Sequence, residues 1–161
     1  MSTLLDLVGK GLLRRYPLET GELDVRQIFY LPRIEGQIQD RVQGTVSDRQ
    51  LETKPEEQLD ALLVDFCEGV ELDAGTQFKK LTPLKEGIWE LKTPDLRLFG
   101  WFYKKDHFIW TAVDAKWRLL ENPGIVVGYI NEAKHFRDNV LLFGEDYIKS
   151  DNPDDVISNS Y

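Results

Sequence analysis

The stretch Lys85–Lys116, KEGIWELKTPDLRLFGWFYKKDHFIWTAVDAK, decides the fold. Ile88–Lys92, Leu96–Tyr103 and Phe108–Ala115 are three runs rich in aromatic and branched residues, the composition of half-buried strands. Thr93-Pro94-Asp95 parts the first two, with a proline that pre-sets a turn, and Lys104-Lys105-Asp106 parts the last two as a short charged tip. Both links have hairpin length, so the stretch predicts a three-stranded antiparallel meander.

Outward from the meander, the 161 residues are 42% hydrophobic and 30% charged, which suits one globular domain with a single core. The single Cys67 excludes an intramolecular disulfide and argues against a cysteine-built metal site. The longest apolar clusters, Leu4 to Val8 and Ile125 to Val127, fall far short of the roughly 18 residues of a membrane span, and no signal-peptide core opens the sequence. A cytoplasmic protein without a membrane partner is the expectation. The net charge of −8 is unevenly spread: from Lys79 to Arg118 nine basic residues face five acidic ones. Binding follows such local patches rather than the net value, so an acidic pI of 4.8 does not exclude nucleic acid.

Before the meander, Leu4, Leu5, Val8, Leu12 and Leu13 recur at helical spacing over Ser2 to Tyr16, behind a Ser2 or Thr3 cap and weakened by Gly9 and Gly11. A polar link from Pro17 to Asp24 leads to Val25–Leu31, a short added strand. Ile34, Ile38 and Val42 form a weak helical pattern that stops at Gly44, and a loop follows to Lys54. Thr53 and Glu56 have capping-box spacing around Pro55. Leu59, Leu62, Leu63, Phe66 and Cys67 then make one apolar stripe closed by Gly69. That stripe needs a partner, and a helix laid on one face of the meander is the economical architecture. Beyond the turn Asn122-Pro123-Gly124, Val126, Tyr129, Ile130, Ala133, Phe136 and Val140 predict a last helix ending near Gly144. The acidic stretch 145–161 predicts a mobile tail on a single domain of residues 1–144.

No phosphate-binding loop, zinc-protease motif or nucleophile elbow is present. His107 and His135 do not make a metal site by themselves. Glu86 and Glu90, four apart at a strand start, read as solvated rim charge rather than an acid/base pair.

The residues resemble a known family. Leu84-Lys85-Glu86-Gly87-Ile88-Trp89-Glu90-Leu91-Lys92 is similar to the K-x-L-x-x-G-L-W-E-L-R piece of the RelE/HigB toxin superfamily, in its phage-derived HigB-like branch. Leu96-Arg97-Leu98-Phe99 resembles its arginine-bearing strand, and Ala115-Lys116 the end of its F-x-K-K strand. Pro123, Ile130, Ala133 and Arg137 resemble its helical motif, so the resemblance spans about residues 25 to 140. It implies an α+β fold with a small antiparallel-rich sheet of RelE/ParE type, helices packed on one face, and here an extra N-terminal helix and a C-terminal tail. It also implies a toxin of a toxin-antitoxin system: a metal-independent endoribonuclease, without cofactor, that cleaves mRNA on the ribosome and is held by a cognate antitoxin.

Attack of a 2′-hydroxyl on the adjacent phosphate builds negative charge and needs a proton acceptor, a proton donor and cations. On the resemblance, Arg97 is the first candidate, a phosphate clamp with a fixed fork; Lys116 and Lys85 add charge, and Lys92 stands where the family carries arginine. Trp101, Tyr103 and Trp110 are candidates for base stacking, or core. The chain departs from the family in its acidic balance, its extra ends and Trp117 at the place of the second lysine of F-x-K-K. A second class therefore stays open: a non-catalytic phage or prophage protein that keeps the fold and uses the sheet to bind another protein.

Overall fold

The computed structural model describes residues 4–17, 25–83 and 85–160. Ser2 and Thr3, most of the link from Pro17 to Asp24, Leu84 and Tyr161 lie outside the described residues. The elements are α1 (Leu4–Gly9), β1 (Arg14–Arg15), β2 (Gln27–Tyr30), α2 (Arg33–Arg41), α3 (Pro55–Glu68), β3 (Phe78–Lys80), β4 (Ile88–Lys92), β5 (Leu96–Lys104) and β6 (His107–Ala115). They are followed by α4 (Lys116–Glu121), α5 (Pro123–His135), a π-helical turn (Phe136–Val140) and α6 (Pro153–Val156). The class is α+β, with one mixed sheet of six strands in the order β1-β2-β6-β5-β4-β3.

The meander forms as β4, β5 and β6, antiparallel throughout. Gly100 lets its strands close, because a Cβ there would stand 1.9 Å from the Ile109 carbonyl oxygen, and the register shifts beside it so that Phe99 faces Ala112 and Gly100 faces Trp110. β2 adds to β6 in parallel, Gln27 facing His107 and Tyr30 facing Trp110. β6 is longer than β2, and beyond Trp110 its edge is sealed by side chains of α2. Arg33 donates from Nε and Nη2 to the Thr111 carbonyl at 2.9 and 2.7 Å. Arg41 donates to the Val113 carbonyl at 2.9 Å, and Gln37 accepts from the Val113 N–H at 2.9 Å. Residues 33, 37 and 41 share one helix face, so the polar side of α2 does for β6 what a strand would otherwise do.

Alternation along the strands gives the sheet two apolar faces. Trp89, Phe102 and Phe108 turn to α3, where Phe66 meets Phe108 at 6.5 Å between ring centroids. Phe99 and Trp101 turn the other way, against Tyr129 of α5 and Phe143. This corrects the expectation of helices on one face: the last helix covers the second face, because the strands are apolar on both sides.

α3 begins one residue later than the capping-box spacing predicts. Pro55 holds the residue before it in extended backbone, so Lys54 becomes the cap (φ −72°, ψ 155°) and its N–H donates to Glu57 Oε1 at 3.2 Å. Gly69 closes the helix in left-handed conformation, φ 81°. α1 is shorter than predicted, ending at Gly9 before the left-handed Gly11, after which Arg14–Arg15 pairs with β2 as an edge strand.

The C-terminal segment is not a mobile tail. Val156 and Ile157 are fully buried, Ile148 N–H donates to the Phe102 carbonyl at 2.9 Å, and Asp106 N–H donates to the Val156 carbonyl at 2.8 Å. Arg26, fully buried, ties this segment to α3 by donating to the carbonyls of Phe66, Val70 and Ser158 at 3.0, 2.9 and 2.6 Å. Two short apolar pairs, Tyr147-Ile148 and Val156-Ile157, are too few to show a period among the acids, yet enough to dock a segment the meander tip already holds.

Candidate active site

The Thr93-Pro94-Asp95 turn builds the end of the sheet where candidate residues gather. Gln58 of α3 reaches into the turn: its amide donates to Asp95 Oδ2 at 2.6 Å, and its carbonyl oxygen accepts from the Asp95 N–H and the Thr93 hydroxyl, both at 3.0 Å. Ser47 donates to the same Asp95 oxygen at 2.5 Å. With the turn pinned, the strand pairing brings Lys92 opposite Arg97, and Arg97 opposite Asp114. Glu90, two residues before Lys92 and so on the same face, lies opposite Lys79 of β3. Lys116 follows where β6 runs into α4, its N–H held by the Asp95 carbonyl at 2.8 Å.

Arg97 anchors itself through Nη1, which donates to the carbonyls of Thr93 and Leu96 at 2.6 and 2.8 Å. Its Nε and Nη2 make no hydrogen bond among the described residues. Lys92 Nζ donates to the Gly75 carbonyl at 2.8 Å. Burial lowers the Lys92 ammonium, and the positive charge of Arg97 lowers it further against the opposing pull of Glu90; Lys79 and Lys116 act in the same downward direction. Glu90 is buried, so it is no solvated rim charge as its sequence position suggested. Burial pushes its carboxyl up, and Arg97, Lys79 and Lys92 oppose this only in part. Lys79 Nζ stands 3.7 Å from Glu90 Oε1, beyond hydrogen-bond distance.

Arg97, Lys92 and Lys116 thus share one end of the sheet, and Lys85 does not. Lys85 sits in the loop before β4, its carbonyl accepting from the Tyr147 hydroxyl at 2.8 Å. β4 alone, at about 3.3 Å per residue, separates Ile88 from Lys92 by roughly 13 Å, more than the distance at which salt screens exposed charges. Trp101 and Trp110 belong to the core, Trp110 Nε1 donating to the Ala112 carbonyl at 2.9 Å, and Tyr103 packs on Phe143. The exposed aromatic at this end is Trp117. The acidic C-terminal segment reaches Lys80, through Asp151 at 2.9 Å, and packs by Glu145 to Ile148 beside Lys104 and Lys105, at the other end of β5.

Beside the patch a crevice of about 170 Å³ opens between the loop after α2 and the start of α4, lined by Arg41, Asp95, Asp114, Trp117 and Arg118 among others. Asp114 is fully buried there. Its Oδ1 accepts the Ala115 N–H at 2.7 Å and its Oδ2 the Tyr129 hydroxyl at 2.6 Å. Burial and that hydrogen bond push the Tyr129 phenol up to about 12. Among the described residues, no three of His, Cys, Asp and Glu gather as a metal ion would require, and no helix is long and apolar enough to cross a membrane.

An α+β protein with a mixed six-stranded sheet and a cationic patch at one end of it is the class that fold and site define. Comparison with protein-family models, with curated proteins and with solved structures finds no match for the chain.

Proposed function

We propose that the chain is a RelE/HigB-like toxin, a metal-independent endoribonuclease that acts on mRNA in the cytoplasm and is held inactive by a cognate antitoxin. The observation that carries the reading is the gathering of Arg97, Lys92 and Lys116 at one end of the sheet, with the buried Glu90 carboxylate beside Lys92 and Arg97. Strand, helices, meander and helix also follow one another in the order the sequence resemblance implies. Such a patch suits a phosphodiester: the Arg97 fork has donors to spare for two phosphate oxygens, and the lysines supply charge where the phosphorane becomes most negative. Induced expression in a bacterium tests it. The native chain should arrest growth and create new mRNA 5′ ends, and Arg97→Ala should abolish both; arrest without new 5′ ends rejects the nuclease.

A second reading, a non-catalytic phage or prophage protein that uses this sheet to bind a partner, draws on one feature. Arg97 Nη1 is already spent on two backbone carbonyls, and the buried acids Glu90 and Asp114 offset the cations on the same face. Under that reading the purified chain leaves RNA intact in EDTA, and expression is harmless.

A further inference from the structure

We propose that Glu90 is the proton acceptor of the patch, taking the proton of a ribose 2′-hydroxyl whose neighbouring phosphate is held by Arg97, Lys92 and Lys116. This rests on the endoribonuclease reading and adds to it the identity of the base.

Geometry singles Glu90 out. Two carboxylates point to this face of the meander, Glu90 and Asp114, and both oxygens of Asp114 are occupied by the Ala115 N–H and the Tyr129 hydroxyl. Glu90 accepts no hydrogen bond within 3.5 Å among the described residues; its ion-pair partner is the Lys79 ammonium, 3.7 Å from Oε1, so a substrate hydroxyl competes with a loosely held lysine. A carboxylate that is 95% buried, with a loose ion pair to Lys79 as its nearest partner, is costly to keep ionised, and its position between cations from three strands is where such a cost has a use. The charged groups that face it are Lys79 from β3, Lys92 from its own strand and Arg97 from β5. α5 presents Tyr129 to the neighbouring Phe99, with its hydroxyl turned to Asp114. Lys79, 53% exposed, is the group beside Oε1, so substrate reaches the carboxylate by displacing a solvated lysine rather than by opening the core.

In the step, the 2′-oxygen bonds to phosphorus while its proton passes to Glu90. The bond from phosphorus to the 5′-oxygen breaks, and that oxygen takes a proton from the Lys92 ammonium. A 2′,3′-cyclic phosphate and a 5′-hydroxyl result, and exchange with water returns Glu90 and Lys92 to their starting forms. Burial holds the Glu90 carboxyl above the ordinary glutamate range, and burial with the Arg97 charge holds Lys92 below the ordinary lysine range. The rate therefore climbs with pH as Glu90 ionises and falls as Lys92 loses its proton, a bell narrower than free glutamate and lysine would give.

The test uses the purified full chain in EDTA, with RNA cleavage measured across pH for the native protein, Glu90→Gln and Glu90→Asp. Binding of a 2′-deoxy, uncleavable oligonucleotide is measured in parallel. Glu90→Gln should cut cleavage by about 100-fold or more and erase the acid limb, with oligonucleotide affinity unchanged or raised; Glu90→Asp should keep a displaced acid limb. If the native chain cleaves and Glu90→Gln cleaves within about threefold of it with the same acid limb, the assignment of Glu90 falls and the nuclease reading stands. If the native chain leaves RNA intact, both fall. Should Glu90→Gln lose oligonucleotide binding as well, the Glu90 carboxyl titration of the native chain by NMR decides: agreement with the acid limb supports the assignment, and disagreement overturns it.

Discussion

Two buried carboxylates stand at the same end of the sheet and are treated in opposite ways. Asp95, 4% exposed, accepts from Ser47, Gln58 and the Arg49 N–H. Burial alone would raise its carboxyl, but these hydrogen bonds outweigh it and hold the group below the ordinary aspartate range. Glu90, 5% exposed, has the Lys79 ammonium 3.7 Å from Oε1 but no hydrogen bond within 3.5 Å, and burial keeps it above the ordinary range. The difference separates two uses of a buried acid. One supplied with short hydrogen bonds fixes a turn in its ionised form, whereas one supplied with a loose ion pair remains ready to take a proton.

Asp106, at the other meander turn, belongs with Asp95. Its Oδ1 accepts the Ser158 N–H at 2.8 Å and lies 3.5 Å from Nε of the buried Arg26. The largest effect should therefore come from Arg26→Ala, which strands three carbonyls and leaves Asp106 without its cation. We expect a loss of about 3–5 kcal/mol in urea unfolding. Arg26→Lys should recover only part, since one ammonium cannot span the three carbonyls a guanidinium fork reaches. A loss below about 1 kcal/mol for Arg26→Ala would show that the C-terminal segment is held by the burial of Val156 and Ile157 and by its backbone hydrogen bonds, without need of Arg26.

Next in size is Gln58→Ala, which removes donors and acceptors shared by Thr93, Asp95 and Thr53. The expected cost is roughly 1–3 kcal/mol, because Asp95 stays buried with fewer partners. Arg97→Ala should cost less, about 1 kcal/mol for two carbonyl contacts on a half-buried side chain, and its signature is elsewhere. Affinity for single-stranded RNA should drop at low salt, with the slope of log affinity against log salt shallower by about 0.7. An unchanged slope would remove Arg97 from the phosphate contacts.

The two acids also mark how far the sequence could be read. The meander was legible because Trp89, Leu91, Leu98 and Phe102 alternate with other residues between well-marked turns, and α3 because its stripe runs from Leu59 to Cys67. Lys92 and Arg97 flank one turn, so a hairpin had to bring them together. Lys116 followed from the length of β6, and Lys85 failed because it stands at the far end of the same strand. Glu90 departs from the expected solvated rim charge for a definite reason. Lying between Trp89 and Leu91, it had to face away from α3, but whether that second face was covered depended on α5, some thirty residues later, whose packing leaves no local mark. The polar face of α2 hid in the same way: Arg33, Gln37 and Arg41 have the pattern of a solvated surface, and only the unpaired edge of β6 gives it a partner. β3 and α4, both short, carry too few residues to show a period.

The smallest effect is the most diagnostic, since it differs in sign between the two acids. Folding holds Asp95 below its ordinary value, so the folded chain binds that proton more weakly than the unfolded one. Its contribution to stability is complete above the ordinary aspartate range and is lost as pH falls through the lowered value. Folding holds Glu90 above its ordinary value, so the folded chain binds that proton more strongly. Its contribution is present below the ordinary glutamate range and is lost as pH rises through the raised value. Ionised, Glu90 is thus a burden to the fold, and the isosteric Glu90→Gln should melt no lower than the native chain, with a gain of about 1 kcal/mol or less. Asp95→Asn should melt lower, and its deficit should shrink as the solution is acidified. Thermal melts of the three proteins between about pH 2 and pH 8 measure both trends, the Asp95 trend below about pH 4 and the Glu90 trend above it. If Glu90→Gln loses as much stability as Asp95→Asn at neutral pH, Glu90 is a structural acid like Asp95, and the division between a turn-fixing and a proton-accepting carboxylate disappears.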